Sequence, residues 1–254
     1  MFNELNLKDA DLDTYLKNGF VVVRQGLNLD EMEQIKTWST ELMELPDAKD
    51  SYWVYRERDL RSKGEDNDLI SRIEMIGQNH TGFHRLNLFL KQIISSLFKE
   101  EAILFKDKLN YKMPGGDGFK PHQDSQAGWD VYASEFITAM VSVDPATIDN
   151  GCLYIADGPH EKKVIRQWEP LNEADLASMR FQAYPTNPGD LVFFHSYVPH
   201  YSNANLSDQM RRLYYATFNT SSEGDHHHNY HKDKFANYPP DIYRQTGKRY
   251  EFKV

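Results

Sequence analysis

One cysteine, Cys152, in 254 residues leaves no pair for an internal disulfide framework and fits a reducing compartment. No apolar run approaches the roughly 20 residues needed to span a bilayer. The opening MFNELNLKDADLD has neither a positively charged leader nor an apolar core of the signal-peptide kind. The cytoplasm is the expected location. Cations are also in deficit: 29 Lys and Arg against 38 Asp and Glu give a net charge of −9. A field of that sign repels polyphosphate, so neither nucleic acid nor an anionic membrane is expected as a partner. Local basic pockets stay open, and the expected partner is a small molecule. Oligomeric state is not legible. Internal repeats and low-complexity tracts are absent as well.

What is present is enough for a sizeable core, with 40% hydrophobic and 13% aromatic residues. One unit over residues 1–254 is expected, in three parts. Residues 1–100 form a mostly helical flank. Leu29, Met32, Ile35, Trp38, Leu42 and Leu45 recur at helical spacing, and Leu86, Leu90, Ile93, Ile94 and Leu97 repeat the pattern between Phe83 and Phe98. A short β-branched run, Phe20 to Val23, reads as a strand between helices. Residues 47–79 combine aromatics and charges with little period and read as a long loop away from the core. From 101 to 220 strands follow quickly: 102–105, 108–112, 136–143, 151–155, 190–194 and 213–218. Turns such as Pro114-Gly115-Gly116, Asn150-Gly151 and Pro188-Gly189 punctuate them. That spacing suggests an antiparallel sandwich or barrel. Residues 221–254 are a polar, aromatic extension, and its run His226-His227-His228, with His231, reads as a mobile tail able to bind zinc opportunistically.

Two histidines and one carboxylate carry the chemistry. In His122-x-Asp124, residues two apart on an extended segment point to one side, so imidazole and carboxylate can reach the same ion. His200, 76 residues after Asp124, would complete a 2-His-1-carboxylate face that leaves open positions for substrate and oxygen. Zinc accepts the same ligands. Beyond His200 lies Arg211-Arg212, and an arginine there suggests a carboxylate-bearing co-substrate. Strand alternation lets only one of the two look into a barrel, and spacing favours Arg211. Asn110, Thr138 and Ser202 are further co-substrate candidates. Lys106 and Lys108 share the parity of Asn110, although a solvated strand face is the plainer reading of both. His195 reads as strand-end packing, His160 as a structural hydrogen-bonding residue, and Cys152 as core. His80 and His84 flank a helix start without interpretable spacing.

With His122-x-Asp124, Asn150-Gly151-Cys152-Leu153, Gly158-x-His160 and Pro188-Gly189-Asp190 come His200-x-Ser202, Asn205, Ser207 and Arg211. Through these the chain resembles the phytanoyl-CoA dioxygenase family of Fe(II)- and 2-oxoglutarate-dependent oxygenases over roughly residues 10–220. The resemblance implies a double-stranded β-helix, or jelly-roll, core with flanking helices. It implies Fe(II) on His122, Asp124 and His200, 2-oxoglutarate held by Arg211, and O2 as second co-substrate, with release of succinate and CO2. Asp124 distinguishes the chain from halogenases of the wider superfamily, where a small residue replaces that carboxylate, so hydroxylation is expected.

FKDKLNYKMPGGDGFKPHQDSQAGW, FFHSYVPHYSN and GDHHHNYHKDKFANYPPDIYR are similar to a branch of this family that hydroxylates the carbon next to phosphorus in 2-aminoethylphosphonate and its trimethylated analogue. For such a zwitterion the expected substrate contacts are Lys108, Gln126 and Trp129, with the segment Tyr52 to Arg61 and the loop Gln126 to Tyr132 offering cationic, acidic and aromatic groups. Two other readings are a hydroxylase of a free amino acid or carrier-bound intermediate, and a non-catalytic metal-binding barrel.

Overall fold

A computed structural model describes residues 2–62 and 69–250. Helix α1 (Asp9–Asn18) stops where Gly19 turns left-handed, at φ 74°, and returns its N–H to Tyr15 O. Strand β1 (Phe20–Val23) follows at once. Helix α2 (Leu29–Glu44) is opened by a reciprocal cap between Asn28 and Glu31. Then come β2 (Trp53–Glu57), β3 (Leu69–Glu74), a single turn α3 (Ile76–Asn79) and α4 (Thr81–Phe98). His80 is the N-cap of α4: its Nδ1 accepts from Gly82 N and Phe83 N, a role its spacing did not reveal. The remaining elements are β4 (Ala102–Lys112), β5 (Phe119–His122), β6 (Ile137–Ser142), β7 (Leu153–Ala156), α5 (Glu173–Leu176), β8 (Phe181–Tyr184), β9 (Leu191–His195), β10 (His200–Ser202), β11 (Arg211–Thr220) and α6 (His227–Asn237).

These strands form two antiparallel sheets, one of seven in the order β1-β9-β6-β11-β4-β3-β2 and one of four in the order β5-β10-β7-β8. Helix α4 covers the outer face of the larger sheet, its Phe83, Leu86, Leu90, Ile93 and Ile94 sharing a buried cluster with Leu109, Tyr111, Tyr214 and Ala216. Alternation sends the neighbours of those sheet residues the other way. Lys106, Lys108 and Asn110 on β4, with Leu213, Tyr215 and Thr217 on β11, face the four-stranded sheet. The space between the sheets therefore receives a polar stripe, and the helical side receives the apolar one. Asp107 is the exception on the helical side. Its carboxylate accepts from Ile76 N, Gly77 N and Asn87 Nδ2 at 2.7–2.8 Å, tying α3 and α4 to β4.

Three expectations are corrected. The runs 102–105 and 108–112 are one eleven-residue strand: Lys106 pairs with Thr217 and Leu104 with Phe218, so Phe105 is an extra residue that bulges toward Trp129 and Phe136. Residues 47–79 are no excursion. Strands β2 and β3 form a hairpin that extends the large sheet by pairing with β4; the part of that stretch at 63–68 lies outside the described residues. The hairpin escaped notice because Arg72 and Glu74 point inward, breaking the polar-out alternation that marks a strand. The extension is not a loose tail either: α6 packs Tyr230 and His231 inward, and Lys234 forms a buried ion pair with Glu74.

Candidate metal centre and cavity

Strand β10 lies between β5 and β7, with His200 opposite His122 in register. Their rings come to 4.3 Å, centroid to centroid. His122 Nδ1 faces Lys120 O at 2.7 Å and His200 Nδ1 faces Val198 O at 2.9 Å. A carbonyl there demands an N–H, which leaves the lone pair of each ring on Nε2. Both Nε2 atoms lie 4.0 Å from Asp124 Oδ1. One donor atom from each of the three residues falls within 4.8 Å of the others, the only such cluster among the described residues.

Local structure aims these groups. Gln123 is extended, and its side chain turns away from the centre, donating to Lys163 O and Tyr197 O and accepting from Ile165 N. That peg lets the flanking His122 and Asp124 share a side. Asp124 opens a short 3-10 turn, and its Oδ2 accepts from Thr138 Oγ1 at 3.2 Å, while Thr138 is bonded to Thr217 at 2.9 Å. Burial, then His200, push His122 down to about 3, so its ring is neutral and able to ligate. For Asp124 burial favours protonation, but His200, Lys106 and Lys108 outweigh it and hold the carboxyl below its ordinary value. Two imidazole nitrogens and an ionised carboxylate suit Fe(II).

The cavity beside this cluster is lined by Lys106, Lys108, Asn110, Phe119, Thr138, Tyr201, Ser202, Tyr215 and Thr217. Of the residues singled out from sequence, Lys108, Asn110, Thr138 and Ser202 therefore meet at the triad, with Thr138 bonded to Asp124. Arg211 is 2% exposed on the inward face of β11, where Nη2 donates to Gly151 O at 2.9 Å and the head pairs with Tyr215. Gly151 is left-handed, at φ 79°, and a Cβ would stand 2.2 Å from Asn203 O; the Asn150-Gly151 pair thus shapes the floor beneath Arg211. Arg212 faces outward, its guanidinium bidentate on Asp144 at 2.7 and 2.9 Å and bonded to Thr40 on α2. Arg212→Met is expected to lower stability by about 3 kcal/mol, the cost of orphaning a buried ion-pair partner, while leaving co-substrate affinity unchanged. Urea unfolding and a 2-oxoglutarate titration of the variant check both halves.

Two expected substrate residues are not in the cavity. Gln126 is fully buried and pins its own turn, donating to Glu169 O and accepting from Gln123 N. Trp129 packs on Phe105 and Phe136, and it reaches the site only as a floor under Lys106, whose Nζ lies 3.8 Å from the ring centre. Lys106 and Lys108 do not form a solvated face; both are half-buried cavity walls. Tyr230 of α6 lies beside Lys106 at 5.5 Å, a neighbour unseen in sequence because it enters from the far end of the chain. Among the other histidines, His195 stacks on Tyr197, in line with its packing reading, and His160 bonds Ala156 O, in line with its hydrogen-bonding one.

Comparison with known proteins agrees with this geometry. The family model for phytanoyl-CoA dioxygenase matches residues 15–213. A 2-aminoethylphosphonate dioxygenase from Uncultured bacterium HF130_AEPn_1 is 40% identical over 92% of this chain and 89% of its own. A methylphosphonate hydroxylase from Gimesia maris is 32% identical over 90% and 86%. EctD from S. alaskensis, solved with 2-oxoglutarate and 5-hydroxyectoine, superimposes with a TM-score of 0.73 at 21% identity, covering 85% of this chain and 77% of that one. Its likeness shows the jelly-roll fold. The chain belongs to the phytanoyl-CoA dioxygenase family and is an iron- and 2-oxoglutarate-dependent dioxygenase.

Proposed function

We propose that this protein hydroxylates a C–H bond of a small organophosphonate, of the 2-aminoethylphosphonate kind, with conversion of O2 and 2-oxoglutarate to succinate and CO2. The carrying observation is the pair Lys106 and Lys108, two residues apart on β4, both walls of the cavity that also contains His122, Asp124 and His200. One lysine would serve a monocarboxylate. Two on the same face suit a phosphonate dianion, which offers three oxygens to their N–H donors. Burial lowers both lysines below their ordinary range, and Lys108 depresses Lys106 further; a bound dianion would relieve that. Both named phosphonate relatives share the phosphonate group, while an amine appears in the name of only one.

His122, Asp124 and His200 would hold iron, which when bound supplies the redox chemistry coupling decarboxylation of the 2-oxo acid to C–H oxidation. The chain's own task is placement. Thr138 orients the Asp124 carboxylate, Trp129 and Tyr230 steady Lys106 by cation–π contact, and Arg211, with Asn110 and Ser202 nearby, takes the distal carboxylate of 2-oxoglutarate. Residues 1–254 act as one catalytic unit on this reading, since Tyr230 and Lys234 of the extension flank the same wall.

A substrate screen tests it. Purified protein with Fe(II) and 2-oxoglutarate is given 2-aminoethylphosphonate, methylphosphonate, and β-alanine and taurine as carboxylate and sulfonate analogues, and oxygen-dependent succinate is measured. Turnover with phosphonates over the analogues is the expected result. Turnover confined to an amino acid would sink the phosphonate reading and leave the oxygenase intact.

A further inference from the structure

Strand β9 ends at His195 and β10 begins at His200, and the backbone between them turns tightly. Val198 N donates to His195 O at 2.9 Å, closing a four-residue turn. The His195 side chain serves the same turn: Tyr197 N donates to its Nδ1 at 3.3 Å, and the ring stacks on Tyr197. With Nδ1 accepting, the neutral ring carries its proton on Nε2. That Nε2 is buried 3.8 Å from Glu135 Oε2, too far for a hydrogen bond.

Three consecutive carbonyls of this stretch support the metal cluster. Ser196 O accepts at 3.1 Å from Ser125 N, the residue after Asp124. Tyr197 O accepts at 2.7 Å from Gln123 Nε2, the peg between His122 and Asp124. Val198 O accepts from His200 Nδ1 at 2.9 Å. His122 itself is set by Lys120 O, so the turn acts on it only through Gln123. A peptide group is planar, so holding its N–H fixes the direction of its C=O. Tyr197 N–H and Ser196 C=O belong to one peptide, and His195 Nδ1 is what holds the N–H. Val198 N–H and Tyr197 C=O belong to the next, and His195 O holds that one.

We propose that His195 is a positioning residue for the iron centre: through Nδ1 it aims the Ser196 carbonyl, and so the turn that presents Asp124, without touching the ion. This rests on iron being held by His122, Asp124 and His200. The competing role is packing alone, in which the ring matters only for its stack on Tyr197.

Anaerobic equilibrium dialysis against Fe(II), with melting temperature measured beside it, separates the two. His195→Phe keeps a ring for the stack and has no acceptor. His195→Asn gives up the stack, but its side-chain oxygen can accept from the N–H two residues on, as asparagine does in turns. Iron should be held about tenfold more weakly by His195→Phe, the lower end of what losing an outer partner of a metal ligand costs, and within about threefold of wild type by His195→Asn. With Co(II) in place of iron, the visible absorption that reports coordination geometry should change in His195→Phe and return in His195→Asn. Wild-type iron affinity in His195→Phe, or a loss in His195→Asn as large as in the phenylalanine variant, overturns the proposal. His195→Leu, which also lacks an acceptor, takes the place of His195→Phe should that variant misfold. His200→Ala is the check on location: iron retained there removes the centre itself, whereas iron lost there but kept in His195→Phe leaves the centre standing and sinks only the role of His195.

Discussion

Asp124→Ala leaves a folded protein that no longer retains iron and forms no succinate above background. Removing the carboxylate takes away the only anionic donor of the cluster and leaves two imidazoles, so the ion loses both a ligand and its charge partner. Turnover is expected to fall by more than the roughly 10²–10³-fold that deleting one preorganised donor costs in other sites. Thr138→Val calibrates the effect, because it deletes only the hydroxyl that aligns Asp124 Oδ2. Loss of an outer partner of this sort costs roughly 10–100-fold in metal affinity. Iron content after desalting, with melting temperature as the control for folding, checks both variants. Wild-type iron content in Asp124→Ala would mean that the ion sits elsewhere.

How far this site was legible depends on where its information lies. His122, Asp124 and His200 were readable because ligation demands particular side chains and local turns constrain their spacing. Two-residue alternation allowed only one of Arg211 and Arg212 to look inward, and spacing favoured Arg211; β11 turns Arg211 inward, with Arg212 spent on Asp144 and Thr40. The same alternation was available at Lys106, Lys108, Asn110 and Lys112. Burial was not, since nothing in a lysine's immediate neighbours says that another sheet closes over it. The Glu74–Lys234 pair joins residues 160 positions apart, and Tyr230 reaches Lys106 from 124 positions away, both beyond the reach of any local pattern. Gln126 illustrates the reverse error. It stands beside the ligand motif in sequence, yet the tight turn after Asp124 directs it into the protein, where backbone groups need a partner.

Lys106→Met with Lys108→Met abolishes phosphonate selectivity while sparing the oxygenase machinery. Neither lysine ligates the ion, so iron binding should persist; Lys106 also lies clear of Arg211, whereas Lys108 is one side chain, Tyr215, away from it, so 2-oxoglutarate affinity is measured in each single variant. On the proposed reading each lysine would give the phosphonate a charged hydrogen bond in a cavity screened from solvent, worth about 1.5–3 kcal/mol, and loss of the pair should raise KM for a phosphonate by at least about a hundredfold. The rise belongs in KM more than in kcat as long as the anion is held equally in ground and transition states. Lys106 should prove the more sensitive to its surroundings: Trp129→Leu removes the face beneath Nζ, a contact worth about 0.5–2 kcal/mol, and should reproduce part of the Lys106→Met effect without changing iron content. Kinetics of the single, double and Trp129 variants on 2-aminoethylphosphonate, set against substrate-independent succinate release, test this. An unchanged KM in the double variant would detach the anionic end of the substrate from β4 and direct the search to Arg72, whose guanidinium sits on the neighbouring strand, in register with Asn110.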